Sequence, residues 1–205
     1  HGSYFINLNS SDSKKVEDSI QRILDAARIT YLSGGYSCCF HAAYYHKDDQ
    51  SKVYDVVKAR LKLIVKTLKD EGIEIWIRPE TGGKINQFAD SYELIKLAPE
   101  LEMILPCFDF AHQYARNLGK WNTYEDFKKL FEEIEKVLGK EGLNNMHVHT
   151  EGIEFTDKGE RNHVNLNECK LNYKDLVKVW KEFKIKGVII CESPNIESDA
   201  LLLKK

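Results

Sequence analysis

Apolar side chains follow two periodicities that alternate along the chain. Four long segments carry apolar residues at three- and four-residue spacing, which predicts one buried face of an amphipathic helix. These segments are Val16–Ala27, Val53–Leu68, Phe127–Leu138 and Tyr173–Phe183. Between and beyond them lie short runs rich in apolar or β-branched residues: Tyr36–Phe40, Ile73–Ile77, Met103–Phe108, Asn145–Val148 and Gly187–Cys191. Such runs are typical of strands that are buried on both faces.

The alternation of these two kinds of segment predicts the fold class. Strands that alternate with amphipathic helices indicate βαβ units, and therefore an α/β protein with a parallel sheet. No break in composition and no linker rich in proline, glycine or serine divides the chain. We therefore expect a single domain that covers residues 1–205.

Side chains that can bind metal stand where the apolar runs stop. These residues are His41, Glu80, Asp109 with His112, His147 and Glu192. In a TIM (β/α)8 barrel the carboxyl ends of the strands form a ring around one pocket. Taken singly, each residue is more often a hydrogen-bonded or solvated group than a ligand. Their repetition at successive strand ends instead predicts a site for several metal ions, because each ion takes about four ligands.

The number of strands indicates an incomplete barrel. Five strands are predicted, whereas a closed barrel has eight and usually about 250 residues. His1 would also stand at a strand end, although the strand itself would precede residue 1. We therefore expect a TIM-type barrel whose first three βα units are absent from this chain. The alternative is an open, shortened sheet with unpaired edges.

Composition and charge restrict the environment and the partners. No apolar run approaches the ~18 residues of a membrane helix, so no membrane association is expected. Five cysteines without a C-x-x-C motif, three of them in strand-like runs, favour reduced thiols and a cytoplasmic location. The net charge of −2 provides no general attraction to nucleic acid. A nucleic-acid substrate would therefore need a locally positive surface, which bound metal ions can supply.

Six motifs together resemble a known family. They are His1–Leu8 (HGSYFINL), Phe40-His41, Glu80-Thr81, Cys107–His112 (CFDFAH), Met146-His147 and Cys191-Glu192. Their order and spacing are similar to those of endonuclease IV, the family 2 apurinic/apyrimidinic (AP) endonucleases of base-excision repair. The resemblance covers essentially the whole chain. It implies a TIM barrel, three Zn²⁺ ions, and hydrolysis of the phosphodiester 5′ to an abasic site in double-stranded DNA, by a chain that we expect to be a monomer.

The resemblance also implies a ligand set and a catalytic residue. One zinc ion would be bound by His1, His41 and Glu80. A second would be bridged by Glu80 and completed by Asp109, His147 and Glu192. The third would be bound by His112 with partners from the Glu160–His163 segment. Glu80, as the bridging carboxylate, would set the metal spacing and orient the attacking water.

One segment departs from the family pattern. Better-known members carry Asp-Arg-His, in which the acid and the histidine are two residues apart. Here the sequence is Glu160-Arg161-Asn162-His163, so the spacing is three, within a polar stretch that we predict to be a loop. We expect His163 to bind metal, since imidazole suits zinc better than an asparagine amide. Glu160 either binds through its longer side chain or leaves the third zinc partly solvated.

The remaining polar and aromatic candidates concern positioning and DNA contact. His149 is assigned to the side of its strand opposite His147, with a structural role. Tyr4 and Phe5 stand where the family inserts side chains into the duplex, although they also resemble core residues. Lys84 and Arg161 are candidate phosphate contacts. Gly82 and Gly83, next to Lys84, are interpreted as a flexible turn.

Two other functions fit the same residues. One is a sugar isomerase or epimerase on the same barrel, which would use one or two divalent ions bound by Glu, Asp and His. The other is a truncated, non-catalytic module that binds DNA. Metal content would separate the first from the nuclease, and metal-dependent nicking would separate the second.

Overall fold

The structure, a computed structural model that describes residues 1–204, contains seven α-helices and nine strands. The helices are α1 (Ser13–Leu32), α2 (Gln50–Asp70), α3 (Ser91–Leu97), α4 (Phe110–Arg116), α5 (Tyr124–Asn144), α6 (Tyr173–Glu182) and α7 (Glu197–Lys204). The strands are β1 (Ser37–Phe40), β2 (Ala43–Tyr44), β3 (Trp76–Pro79), β4 (Gln87–Phe88), β5 (Cys107–Asp109), β6 (Met146–Thr150), β7 (Gly152–Thr156), β8 (Gly159–Val164) and β9 (Gly187–Cys191).

Five parallel strands form the wall of a partial barrel. β1 pairs with β3, and β6 pairs with both β5 and β9, always in parallel. Two single parallel bridges, Ile77 with Ile104 and Glu80 with Cys107, join β3 to the β5 segment. The order β1-β3-β5-β6-β9 therefore follows the sequence, as in a (β/α) barrel, and these are the five strands that the apolar runs predict. Within residues 1–204, β1 and β9 do not pair with each other, so the described barrel is not closed.

The predicted helical faces form the outer layer. In α2, Val57, Leu61, Ile64 and Leu68 have no exposed surface, as their three- and four-residue spacing requires. Side-chain caps fix where the helices begin. Asp49 accepts backbone N–H bonds at the start of α2, and Thr123 forms a capping box with Asp126 at the start of α5. These caps therefore determine the residues at which α2 and α5 begin.

Three strands include polar residues that the sequence pattern assigns to the positions after them. β3 runs on to Pro79, β5 includes Asp109, and β6 extends to Thr150 rather than ending at Val148. Arg78, Asp109 and His149 are nevertheless almost fully buried. Their side chains lie among other polar groups inside the barrel, so a polar residue here does not end the strand.

The Glu160–His163 segment lies in a strand, which corrects the prediction of a loop. β7 and β8 form an antiparallel hairpin that projects from the carboxyl end of β6. Gly159 opens β8 with a φ of +90°, a conformation that favours glycine, directly after the two-residue turn. The polar composition of Glu160–His163 is explained by exposure, since Arg161 and Asn162 face outward.

The two ends of the described sheet differ. At one end, the Gly2 backbone N–H donates to the Cys39 carbonyl at 2.7 Å, so residues 1 and 2 lie beside β1. At the other end, β9 is exposed on both faces, with Ile189 at 44% and Ile190 at 43%. The central strand β6, by contrast, is buried along its entire length. None of the helices in residues 1–204 is both long enough and apolar enough to cross a membrane.

Candidate metal centre

The Glu80 carboxylate lies at the centre of a group of imidazoles. It directly follows β3, is 1% exposed, and its backbone N–H donates to the Phe40 carbonyl at 3.0 Å. Its Oε2 lies 2.8 Å from His1 Nε2 and 3.9 Å from His41 Nε2. Its Oε1 lies 3.0 Å from His149 Nδ1 and 3.6 Å from His112 Nδ1. Both carboxylate oxygens are therefore shared among groups from separate parts of the chain.

The electrostatics of this group favour an ionised Glu80 beside a neutral His41 and a protonated His1. Burial opposes ionisation of Glu80, but the imidazoles of His41, His1 and His149 outweigh it and hold the pKa of this carboxyl well below its usual range. Burial lowers the pKa of His41 to about 4, so its ring is a neutral donor at pH 7. Burial disfavours the His1 cation as well, yet the hydrogen bond to Glu80 raises the pKa of His1 to about 9.

One set of possible metal ligands combines Glu80, Asp109, His149 and Glu192, each of which offers a donor atom within 4.8 Å of the others. Asp109 and His149 are cross-strand neighbours in β5 and β6. Asp109 Oδ1 accepts the His112 backbone N–H at 2.7 Å, which caps α4. Burial raises the pKa of Asp109 to about 6. Glu192 follows β9, and its Oε1 lies 3.5 Å from His149 Nδ1.

His149, rather than His147, is placed beside Glu80. The expectation that the two histidines point to opposite sides is wrong, because residues two apart in a strand share a face. Both rings lie inside the barrel, 5.2 Å apart between centroids. His147 pairs with Cys107 and lies one layer deeper, where its Nδ1 is 2.9 Å from Ser37 Oγ.

A second set of possible ligands consists of His112, Glu160 and His163. The Nε2 atoms of His112 and His163 are 3.4 Å apart. The Glu160 carboxylate lies 3.6 Å from His112 Nε2 through Oε2, and 3.9 Å from His163 Nε2 through Oε1. The other ring nitrogen of His112 lies 3.1 Å from both the Thr81 carbonyl and Asp109 Oδ2. The structure thus brings Glu160 and His163 together despite their unusual spacing.

A β-bulge accounts for the three-residue spacing. Glu154 of β7 pairs with Asn162, and the next residue, Phe155, pairs with Glu160. Arg161 is therefore an extra residue of β8 without a partner in β7. Because the bulge puts Arg161 and Asn162 on the same outer face, Glu160 and His163 both face inward. Glu160 and His163 therefore lie on the same face of the hairpin, as two residues with two-residue spacing do in a regular strand.

The ligand sets overlap, so they form one continuous cluster. His1, Cys39 and Glu80 form a further set, as do His41, Glu80 and His112. Glu80 joins the sets from the first half of the chain to Asp109, His149 and Glu192, while His112 joins them to the hairpin. Of the nine ligands predicted from the sequence, His147 alone shares none of these sets with Glu80 or His112; it lies in a deeper set with Cys39, Cys107 and His149.

Glu151 is a site residue that the sequence interpretation missed. It has no exposed surface, and neither carboxylate oxygen has a hydrogen-bond partner among residues 1–204. Its Oε1 lies 3.7 Å from His163 Nε2, and burial raises the pKa of Glu151 well above its usual value. The signal was present in the alternation of His147, His149 and Glu151, which places all three on one face if the extended chain continues.

The donor atoms fit divalent metal ions. Among the described residues, His41 Nδ1 and both oxygens of Glu151 are buried without a hydrogen-bond partner. Orphaned buried polar atoms are rare in folded proteins, because each costs about 1–3 kcal/mol. A cation among them would satisfy these lone pairs. The mixture of imidazole and carboxylate donors is one that zinc accepts.

The candidate DNA contacts surround this cluster. Tyr4 and Phe5 are each 81% exposed, whereas the adjacent Ile6 is buried, so the two aromatic side chains are not core residues. The Tyr4 ring lies 5.5 Å from the His1 ring between centroids. Lys84 and Arg161 are exposed and line one surface depression with Glu160.

Comparison with known proteins identifies the family. Residues 1–204 match the profile of the xylose isomerase-like TIM barrel family, so the chain belongs to that family, and the expected fold class is confirmed. This family contains endonuclease 4 proteins as well as sugar isomerases and epimerases, and its members use divalent metals. Membership therefore indicates an enzyme fold and does not distinguish between the two activities.

Relatives found by sequence include an uncharacterized protein and endonucleases. An uncharacterized protein of Methanocaldococcus jannaschii is 44% identical over 205 residues, which cover all of this chain and 74% of that protein. Apurinic-apyrimidinic endonuclease 1 of Plasmodium falciparum is 24% identical over 209 residues, covering all of this chain but 34% of its own length. The probable endonuclease 4 of Mycoplasmoides gallisepticum is 24% identical over 200 residues, which cover 96% of this chain and 64% of that protein.

Solved structures show the likeness in fold alone. A D-tagatose 3-epimerase-like protein matches with a TM-score of 0.73 at 19% identity, over 98% of this chain and 72% of that one. Endonuclease IV from Thermus thermophilus matches with a TM-score of 0.69 at 17% identity, over all of this chain and 73% of its own.

Proposed function

We propose that this chain is a zinc-dependent endodeoxyribonuclease that hydrolyses the phosphodiester 5′ to abasic sites in double-stranded DNA, and that it acts as a monomer. The observation that supports this proposal is the size of the ligand cluster. Glu80, Asp109, His149 and Glu192 provide enough donors for one ion, and His112, Glu160 and His163 are three further donors on the hairpin side. A sugar isomerase that uses one ion has no need of this second set.

The proposal assigns the donors to three zinc ions. His1, His41 and Glu80 would hold the first. Glu80, Asp109, His149 and Glu192 would hold the second, with His149 instead of the His147 that the resemblance implies. His112, Glu160 and His163 would hold the third. Glu151, 3.7 Å from His163, is a further candidate for the third ion.

The side chains then have separate tasks in the reaction. Zinc at such a site supplies charge neutralisation on the phosphoryl oxygens, a water of lowered pKa and stabilisation of the leaving oxygen. Glu80, ionised and fixed between imidazoles, orients the attacking water. Asp109 positions His112 through the α4 cap. Tyr4 and Phe5 enter the duplex at the lesion, while Lys84 and Arg161, which line one depression with Glu160, contact phosphates on that side.

The charge distribution agrees with this division of tasks. The chain has 32 acidic and 30 basic residues, so its average charge does not attract DNA. Three zinc ions carry six positive charges against the four carboxylates of Glu80, Asp109, Glu160 and Glu192, so the loaded cluster, next to exposed Lys84 and Arg161, is locally positive. DNA binding should therefore depend on metal as well as on the basic side chains.

An epimerase that acts on a sugar is the alternative. Glu80, Asp109, His149 and Glu192 alone suffice for one divalent ion, and the likeness to epimerase structures covers nearly the whole chain. This alternative predicts one ion per chain, which leaves the hairpin ligands without a task, or two ions, but not three. A non-catalytic DNA-binding module, the other alternative, predicts binding of abasic DNA without nicking.

Incision of a defined duplex tests the proposal. The substrate carries a single tetrahydrofuran abasic analogue, and the protein is tested with zinc and after removal of metal by a chelator. We expect one cut 5′ to the lesion, abolished by the chelator and restored by Zn²⁺. Cleavage that is unaffected by metal removal, or an uncut duplex at full metal loading, would contradict the proposal.

The role of Glu80 is tested with a conservative variant. Glu80→Gln removes the charge and keeps the shape, so we expect abasic DNA to bind while incision is lost. Glu132→Gln, on an exposed position of α5, is the matched control and should behave as wild type. Wild-type turnover of Glu80→Gln would remove the bridging role from the proposal.

A further inference from the structure

A second group of side chains that could hold a metal ion lies inside the barrel beneath Glu80, and it shares Cys39 and His149 with the sets described above. It consists of Cys39 in β1, Cys107 in β5, and His147 and His149 in β6. One donor atom of each lies within 4.8 Å of the others, and all four residues are buried. Two sulfur and two nitrogen donors form the composition of a closed structural zinc site.

Strand register explains why these four residues meet. Cys107 pairs with His147 across β5 and β6, one layer below the pair formed by Asp109 and His149. Cys39 reaches the same layer from β1, and its Sγ lies 3.7 Å from His149 Nε2. Since side chains on one face of a strand repeat every two residues, the layers stack along the barrel axis. The deeper group is thus fixed by the same backbone as the cluster above it.

An unsatisfied nitrogen independently indicates a ligand. His147 Nδ1 is engaged with Ser37 Oγ at 2.9 Å. The residue is only 6% exposed, and its other ring nitrogen, Nε2, is buried and has no hydrogen-bond partner among residues 1–204. The Ser37 contact accounts for one ring nitrogen, so the other remains available to a metal. Such an outer hydrogen bond, which orients the ring, is usual for a histidine that binds metal.

Cys39 Sγ and His149 Nε2 have the spacing that zinc requires. With Zn–S near 2.3 Å and Zn–N near 2.05 Å, a tetrahedral angle puts sulfur and nitrogen about 3.6 Å apart. The separation between Cys39 Sγ and His149 Nε2 is 3.7 Å. An ion could therefore enter without a large movement of either side chain.

We propose that Cys39, Cys107, His147 and His149 form a structural binding site for one thiophilic divalent ion, which we take to be zinc. The two cysteines bind as thiolates and His147 binds through Nε2. His149 uses Nε2 here and Nδ1 in the cluster above, and so bridges the two sites as an imidazolate. Binding releases three protons, one from each thiol and one from His149. The ion joins β1, β5 and β6, and its charge is balanced by the thiolates in the buried layer.

Cobalt substitution tests this inference directly. The wild-type chain is stripped of metal under reducing conditions and reloaded with Co²⁺ alone, and its near-ultraviolet spectrum is recorded. Thiolate bound to Co²⁺ gives a charge-transfer band that imidazole and carboxylate ligands do not give. We expect the band in the wild type, about half its intensity in Cys39→Ser or Cys107→Ser, and none in the double variant. Cys169→Ser, which alters a cysteine outside the group, is the matched control and should keep the full band.

The test is separable from the proposed nuclease function. A His112→Ala/His163→Ala variant removes ligands of the hairpin side, so it should lose incision and keep the band. The wild-type spectrum needs no variant, so a folding defect cannot hide the answer. A wild type saturated with Co²⁺ that shows no band would overturn the inference, as would a band that persists in the double cysteine variant.

Discussion

Gly83 lies against the hairpin side of the metal cluster, where a methyl group has no room. A Cβ at this position would stand 2.5 Å from Glu160 Oε2, 2.7 Å from His112 Cδ2 and 2.8 Å from Glu160 Cβ. Real Cβ contacts below 3.0 Å essentially do not occur. The carboxylate end of Glu160 can swing away, but its Cβ and the His112 ring are held by β8 and by α4. In Gly83→Ala we therefore expect Glu160 to leave the cluster and His112 to shift.

The size of the effect follows from the cost of overpacking. An extra methyl group in a tightly packed place costs about 1–3 kcal/mol, which is relieved here by displacing the two ligands. If that amount is lost from metal binding, the affinity of the His112–Glu160–His163 set falls by roughly 5- to 150-fold. The sets around Glu80, His1 and His149 should be much less affected.

The assay is a zinc titration against a competing chelator, combined with metal content after dialysis. We expect Gly83→Ala to retain one ion fewer than the wild type. Gly35→Ala is the matched control, because its Cβ would meet Thr30 Cγ2 at 2.7 Å, at the end of α1 and away from the cluster. That variant should lose stability and keep its metal. Wild-type zinc affinity in Gly83→Ala would refute the proposed third set.

Three further changes test other parts of the account. Deletion of Arg161 removes the bulge residue and leaves Glu160 and His163 two residues apart on one face, so the zinc content should equal that of the wild type. An alanine inserted after Arg161 should instead lower the zinc content, because it moves Glu160 and His163 out of this relation. The buried Arg78 guanidinium donates to the Pro106 and Asn145 carbonyls and to Asn145 Oδ1. Arg78→Lys should therefore lower the free energy of unfolding, measured in urea, by roughly 3 kcal/mol. A decrease of less than about 1 kcal/mol would show that these hydrogen bonds do not stabilise the fold. Removal of both Tyr4 and Phe5 side chains to alanine should weaken binding of abasic duplex with little change in zinc content, and undiminished binding in a gel-shift titration would exclude their insertion.

The strands were predictable because a buried parallel strand needs apolar residues on both faces. Asn145–Val148, in the fully buried β6, is recognisable from that property, whereas Gly187–Cys191 has the same apolar composition although β9 is exposed on both faces within residues 1–204. The strand ends were harder to predict, since Asp109 and His149 are polar residues of strands and point into the barrel. Composition assigns such residues to loops, whereas their burial among other polar groups keeps them in the sheet.

The contribution of individual ligands depended on geometry that spacing does not reveal. His149 could have been preferred to His147 only with knowledge of how deep each layer of the barrel lies. The pairing of Glu160 with His163 required a bulge at Arg161, and a bulge depends on the opposite strand, β7. The sequence pattern predicts a flexible turn at Gly83. That Glu160 and His112 pack too closely against Gly83 to allow a side chain there is evident only from the structure. In each case the missing information was the position of a residue distant along the chain.

The most direct test of the central claim is anomalous diffraction at the zinc absorption edge from crystals of the zinc-loaded protein. The account predicts separate peaks on either side of the Glu80 carboxylate and a third peak between His112, Glu160 and His163, each within about 2.0–2.2 Å of its nitrogen and oxygen donors. A single peak among Glu80, Asp109, His149 and Glu192, without a peak beside His163, would contradict it.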